Sequence, residues 1–113
     1  MSDSEPITIH EGSGNVFADL GLPDAEDLRL KADLAAALRR LIEDRALTQT
    51  KAAGLLGIGQ GDLSRMLRGS LRGVSVERLM GFLTVFDQDV EITLRPRSGS
   101  GERGRISLLS ATV

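Results

Sequence analysis

Between residues 48 and 72 the sequence concentrates side chains that donate hydrogen bonds or carry positive charge: Gln49, Thr50, Lys51, Gln60, Arg65, Arg68 and Arg72. Glycines at 57, 59 and 61 punctuate the run. Lysine and arginine neutralise phosphate, the arginine fork matches the O6/N7 edge of guanine, and a carboxamide matches N6/N7 of adenine. That is the chemistry of recognition. Bond-making chemistry has no comparable set of residues. The chain contains no cysteine, which removes thiolate nucleophiles, thiolate metal sites and disulfides together. His10 is the one histidine and has no acidic pair at ligand spacing, so no metal is expected. The serines lack a partner histidine, and Asp24, Glu26 and Asp27 sit where a helix start favours negative charge. The expectation is a protein that is not an enzyme and has no cofactor.

The glycines admit three readings: a phosphate-cradling loop, a break between helices, or a tight turn that aims a helix. A nucleotide loop follows a strand, opens a helix and carries a Gly-Lys-Ser/Thr ending or a downstream acid. Here a helical pattern precedes the glycines and no Gly-Lys-Ser/Thr occurs. Helix, glycine-containing turn, helix remains, which is the layout of a DNA-binding helix-turn-helix.

The elements around that turn follow from periodicity. Leu30, Leu34, Leu38, Leu41 and Ile42 recur at helical spacing, predicting a long first helix over 25–45 with Asp24 as its cap. The same stripe suits a coiled-coil seam, but a core-facing helix explains it at this length. Thr48 caps a short second helix that ends at Gly57, with Ala53 permitting close approach and Ile58 filling the corner. Leu63, Met66 and Leu67 form the apolar side of a third helix and leave Gln60, Gly61, Asp62, Arg65 and Arg68 off it. Ser75 caps a fourth, stapled by Val74 and Leu79, with Leu79, Phe82, Leu83 and Phe86 inward. Val90, Ile92 and Leu94 alternate with polar residues up to Pro96, predicting a half-buried strand. Its expected partner is the Ile7/Ile9 segment or the same strand of a second subunit.

The run "LTQTKAAGLLGIGQGDLSRMLRG" resembles the lambda-repressor-like, or XRE, helix-turn-helix family. Leu47, Thr48, Gln49, Ala53, Leu56, Gly57, Ile58, Gln60, Ser64, Arg65, Arg68 and Gly69 fall in register without gaps. "NVFADLG" upstream and "SVERLMGFLTVFDQDVEITLRP" downstream resemble the subgroup that includes HigA-type antitoxins, partners of RelE-like ribonuclease toxins. The resemblance implies an all-α helix-turn-helix bundle with a short C-terminal β-strand. It implies a homodimer on double-stranded DNA with a palindromic operator, repression of its own operon, and a RelE-like toxin partner. Gln60, Gly61, Asp62 and Arg65 match positions that face bases; Gln49 and Arg68 match positions that hold phosphates, with Thr50, Lys51 and Arg72 beside them as further backbone contacts. Gln49 and Gln60 have the spacing of the family's cooperating glutamine pair. Gly59 departs from the serine often found at that cap, and Asp62 repels phosphate unless it accepts from a cytosine amine or pairs with Arg65 along the helix.

The formal net charge of −2 hides a division along the chain. Residues 1–47 hold ten acidic and five basic residues, whereas 48–72 set Lys51, Arg65, Arg68 and Arg72 against Asp62 alone. A local field governs contact with DNA better than a total does. The acidic first part suits a basic protein partner, and a module that keeps this shape for protein interaction without DNA is the rival reading. Three aromatics among 113 residues and a Leu/Ile/Val/Ala-rich composition favour a helical core in a single domain. We expect an N-terminal extension over 1–23, a helix-turn-helix DNA-binding domain with its C-terminal strand over 24–97, and a flexible Gly/Ser-rich tail over 98–113 that ends in an apolar patch. No apolar run suits a signal or a membrane span, and the expected location is cytoplasmic.

Overall fold

Each of the four apolar periodicities becomes a helix. The computed structural model describes residues 24–97, 99 and 101–110. Helix α1 runs Asp24–Asp44, α2 Gln49–Leu56, α3 Gln60–Leu67 and α4 Val76–Val85. Asp24, expected as a cap, is the first helical residue. Two expected caps are formed: Thr48 Oγ1 accepts from the Lys51 amide at 3.1 Å and Ser75 Oγ from the Arg78 amide at 3.0 Å. Each relieves one of the amides that a helix start leaves without an intrahelical partner.

One core joins all four helices. α1 contributes Leu30, Leu34, Leu38 and Ile42, α2 Ala52 and Ala53, α3 Leu63, Met66 and Leu67, and α4 Val76, Leu79, Phe82 and Leu83. Leu71, Val74 and Phe86 complete it from the connections. Leu41 and Ile58 pack against its edge, half-buried. Leu38, Leu63 and Leu79 are wholly inaccessible, and burial of each stabilises the fold by about 1.5–3 kcal/mol. α1 lies on α4 and α3, and α2 packs on α3 and α4, so the second and third helices are held by the first and fourth.

All four helices close in the same way. A residue one or two positions past each end adopts positive φ: Gly57 directly after α2, and Ala46, Gly69 and Asp87 two residues after α1, α3 and α4. The next amide reaches back to a carbonyl five residues earlier, as Leu47 to Ile42, Ile58 to Ala53, Ser70 to Arg65 and Gln88 to Leu83. This double closure satisfies carbonyls the helix leaves free and turns the chain sharply. Ala46 holds the left-handed conformation at φ 55° despite its Cβ, at a cost of about 1–2 kcal/mol. Ala46→Gly is therefore expected to stabilise the protein by about 0.5–1 kcal/mol after the greater unfolded-state freedom of glycine is subtracted. A urea midpoint that rises at unchanged slope is the confirming observation.

Long-range polar ties fix the helices further. Arg39 Nη2 donates to the Leu67 carbonyl, joining α1 to the end of α3. Arg45 Nη2 donates to the Phe86 carbonyl at 2.9 Å and to Asp87 Oδ2 at 3.1 Å, and its guanidinium lies 5.4 Å from the centre of the Phe86 ring. The Ile106 amide donates to Glu26 Oε2 at 3.0 Å, and Ile106 and Leu108 pack on the core, so the apolar patch of the tail reaches the start of α1.

The expected C-terminal strand is not formed. Residues 90–95 carry no strand, and the described part of the chain is all-helical. Ile92 and Leu94 are 58% and 75% exposed. Alternation makes this stretch compatible with a strand, but a strand is completed only by a ladder partner, and none of the described residues supplies one. The Ile7/Ile9 segment, like the apolar residues Val16, Phe17, Leu20 and Leu22, lies outside the described residues. Among these, no helix is long and apolar enough to cross a membrane.

Candidate nucleic-acid interface

The turn between α2 and α3 is three residues long, Gly57 to Gly59. Gly57 at φ 75° provides the left-handed turn, and the Ile58 amide bonds the Ala53 carbonyl at 3.0 Å. Ala52 and Ala53 are buried at the crossing, where larger side chains would hold the helices apart. These local features set the angle at which α3 leaves the body.

α3 has two contrasting sides. Leu63, Met66 and Leu67 are buried, while Gln60, Gly61, Asp62, Arg65 and Arg68 are exposed. Gly59 caps the helix without a side-chain hydrogen bond. The first-turn amides of α3 therefore keep their hydrogen-bonding capacity toward an incoming acceptor, at the positive end of the helix dipole.

The structure brings the expected residues together in pairs. Gln60 Nε2 donates to Gln49 Oε1 at 3.1 Å across the two helices. Arg65 Nη2 donates to Asp62 Oδ1 within α3. Arg68 Nη1 donates to Ser64 Oγ at 2.7 Å. Thr50 and Lys51 are exposed on the first turn of α2, and Arg72 is exposed beyond the end of α3. Gly61 leaves the surface beside Arg65 bare: a Cβ built there would lie 3.6 Å from Arg65 Nη1.

Sequence reasoning did not anticipate three contributions. Ser64 matches the family pattern but received no role, and it holds Arg68. Arg39 on α1 and Arg45 just past its end tie that helix to the ends of α3 and α4. No local signal marks either arginine, because their acceptors lie 28 and 41 residues away.

Comparison with known proteins agrees with this geometry. A family model described as a helix-turn-helix domain matches residues 16–95. A solved structure named as an XRE family transcriptional regulator is 45% identical, superposes with a TM-score of 0.74, and is matched over 79% of this chain and 100% of its own. No curated protein matches the sequence.

Proposed function

Since the chain belongs to the helix-turn-helix domain family, we propose that it is a sequence-specific DNA-binding transcriptional regulator that reads the major groove with α3. The observation that carries the proposal is the Gln49–Gln60 hydrogen bond at the uncapped start of α3. It uses one Nε2 hydrogen of Gln60 and leaves Oε1 and the second hydrogen for the N6 and N7 atoms of an adenine. The amide nitrogen of Gln49 then faces the backbone, where Thr50, Lys51, Arg68 and Arg72 add phosphate contacts. Arg65 addresses a guanine. Two copies related by a two-fold axis would present their α3 helices about 34 Å apart, one turn of DNA, on a near-palindromic operator.

Phosphate contacts and base contacts have different signatures. Arg68→Ala is expected to weaken binding to every duplex alike and to reduce the slope of log affinity against log salt by about 1. Fluorescence anisotropy on DNA from upstream of the protein's own reading frame, against a random duplex at several salt concentrations, tests the whole proposal. Tight, salt-sensitive and selective binding supports the regulator. Absence of binding to either duplex rejects it in favour of a protein-interaction module.

A finer form of this reading is an antitoxin that represses its own operon. It is favoured by the ten acidic against five basic residues over 1–47, which suit a basic, RelE-like ribonuclease partner. Co-purification with a small basic product of a neighbouring reading frame is the expected result. Selective binding to upstream DNA without such a partner would make the chain a stand-alone regulator.

A further inference from the structure

Asp62 is the acidic residue within the basic segment, and it sits in the first turn of the helix proposed to face DNA. A carboxylate there repels phosphate, so its presence needs a compensating role. The structure places that carboxylate on Arg65 Nη2. Both side chains remain largely exposed, 58% for Arg65 and 64% for Asp62, so the pair is held at the surface and is not part of the core.

The pairing redirects the arginine. Arg65 belongs to the second turn of α3, but its guanidinium lies back over residue 61, where Nη1 is 3.6 Å from the position a Cβ would take. Glycine at 61 gives it a bare surface to lie on, and Asp62 fixes it from one side. Helical side chains lean toward the N-terminus, which makes this folded-back rotamer accessible. The charge of Arg65 is thus delivered to the N-terminal end of the helix, the end that reaches base edges in this docking mode. An arginine has five N–H donors; Asp62 engages one, and the remaining donors include a pair suited to guanine O6 and N7.

We propose that Asp62 touches no base and is a positioning residue: it holds the Arg65 guanidinium over Gly61 for one guanine, and its charge disfavours duplexes that lack that guanine. The inference rests on the DNA-reading function proposed above. In its absence Arg65 would sweep its rotamers as a mobile cation, attracted to any phosphate, and would bind more DNA with less discrimination.

The test is enrichment of duplexes from a randomised double-stranded DNA pool by the full chain and by its Asp62→Ala, Asp62→Asn, Arg65→Ala and Asp62→Ala/Arg65→Ala variants. The wild-type consensus should contain a guanine whose preference Arg65→Ala removes. Asp62→Ala should reduce that same preference roughly tenfold, the scale of losing one well-formed base contact. Affinity for the random pool should rise a few-fold at low salt as the carboxylate is removed. Asp62→Asn, which keeps an acceptor oxygen and loses the charge, should retain more of the guanine preference than Asp62→Ala. The double variant should show no further loss of guanine preference beyond Arg65→Ala. A general weakening of α3 would lower binding to all duplexes, so the preference ratio separates positioning from structural damage. An unchanged guanine preference in Asp62→Ala, or a lost cytosine preference elsewhere in the site, overturns the proposal while leaving DNA reading intact. Failure of the wild-type chain to enrich any sequence overturns both.

Discussion

Phe86→Ala is expected to destabilise the protein by about 3–5 kcal/mol, the range for removing a large aromatic side chain from a packed core. Phe86 is 1% exposed and lies just past α4, where the chain turns through Asp87 at φ 65°. Its ring joins the core shared by α1 and α4, and Arg45 stacks over it while bonding its carbonyl. Truncation would therefore open a cavity and leave the arginine above it without its aromatic support. For a domain of this size, whose total stability is of order 5–10 kcal/mol, most of the margin would disappear. A thermal midpoint lowered by well over 10 °C is the measurement to look for. A loss below about 1 kcal/mol would mean that the surrounding helices collapse into the space and that Phe86 does not hold them apart. Arg45→Ala isolates the smaller part: the ring stays, and only the ties between the ends of α1 and α4 are lost.

The second large effect concerns binding. The Gln60→Ala/Arg65→Ala variant is expected to lose about 2–6 kcal/mol of operator affinity, taking about 1–3 kcal/mol for each base contact and assuming the two act independently. Affinity for a random duplex should fall only by the few-fold expected from one lost cation. Both side chains are exposed on α3 and neither belongs to the core. The unfolding midpoint should accordingly stay within about 0.5 kcal/mol of the wild type. Equal losses on operator and random DNA would move recognition away from α3 and leave these residues as phosphate contacts.

The residues that make this arrangement legible are local ones. Thr48 and Ser75 act on amides three positions away, and Gly57 and Gly69 act on carbonyls within the last turn of their own helices. The Leu30, Leu34, Leu38 spacing and the Leu63, Met66, Leu67 spacing state which face of each helix turns inward. The glutamines at 49 and 60 could be paired on paper because only a three-residue turn separates their helices. Ala46 shows where local reading weakens: it takes the left-handed conformation that glycine would announce, and nothing in its methyl side chain marks it, whereas aspartate at 87 is a residue that tolerates that conformation.

The expected strand at 90–95 shows the limit more sharply. Alternation is a property of the segment, whereas a strand is a property of a pair, and none of the described residues forms the second member. The arginines teach the same lesson. Arg39, Arg45 and Arg65 look alike as charged positions on or directly after a helix, yet one grips the end of α3, one the end of α4, and one its own neighbour Asp62. By itself the sequence determined the four helices, their inward faces and the sharp turn between the second and third, because periodicity, capping and turn chemistry act over a few residues. Only the tertiary structure decided which arginines are ties and which face outward, that Ile106 and Leu108 lie on the core, and that 90–95 carries no strand. Those outcomes depend on groups 28 to 80 residues apart meeting once the chain has closed, and on the presence or absence of a partner that no local pattern encodes.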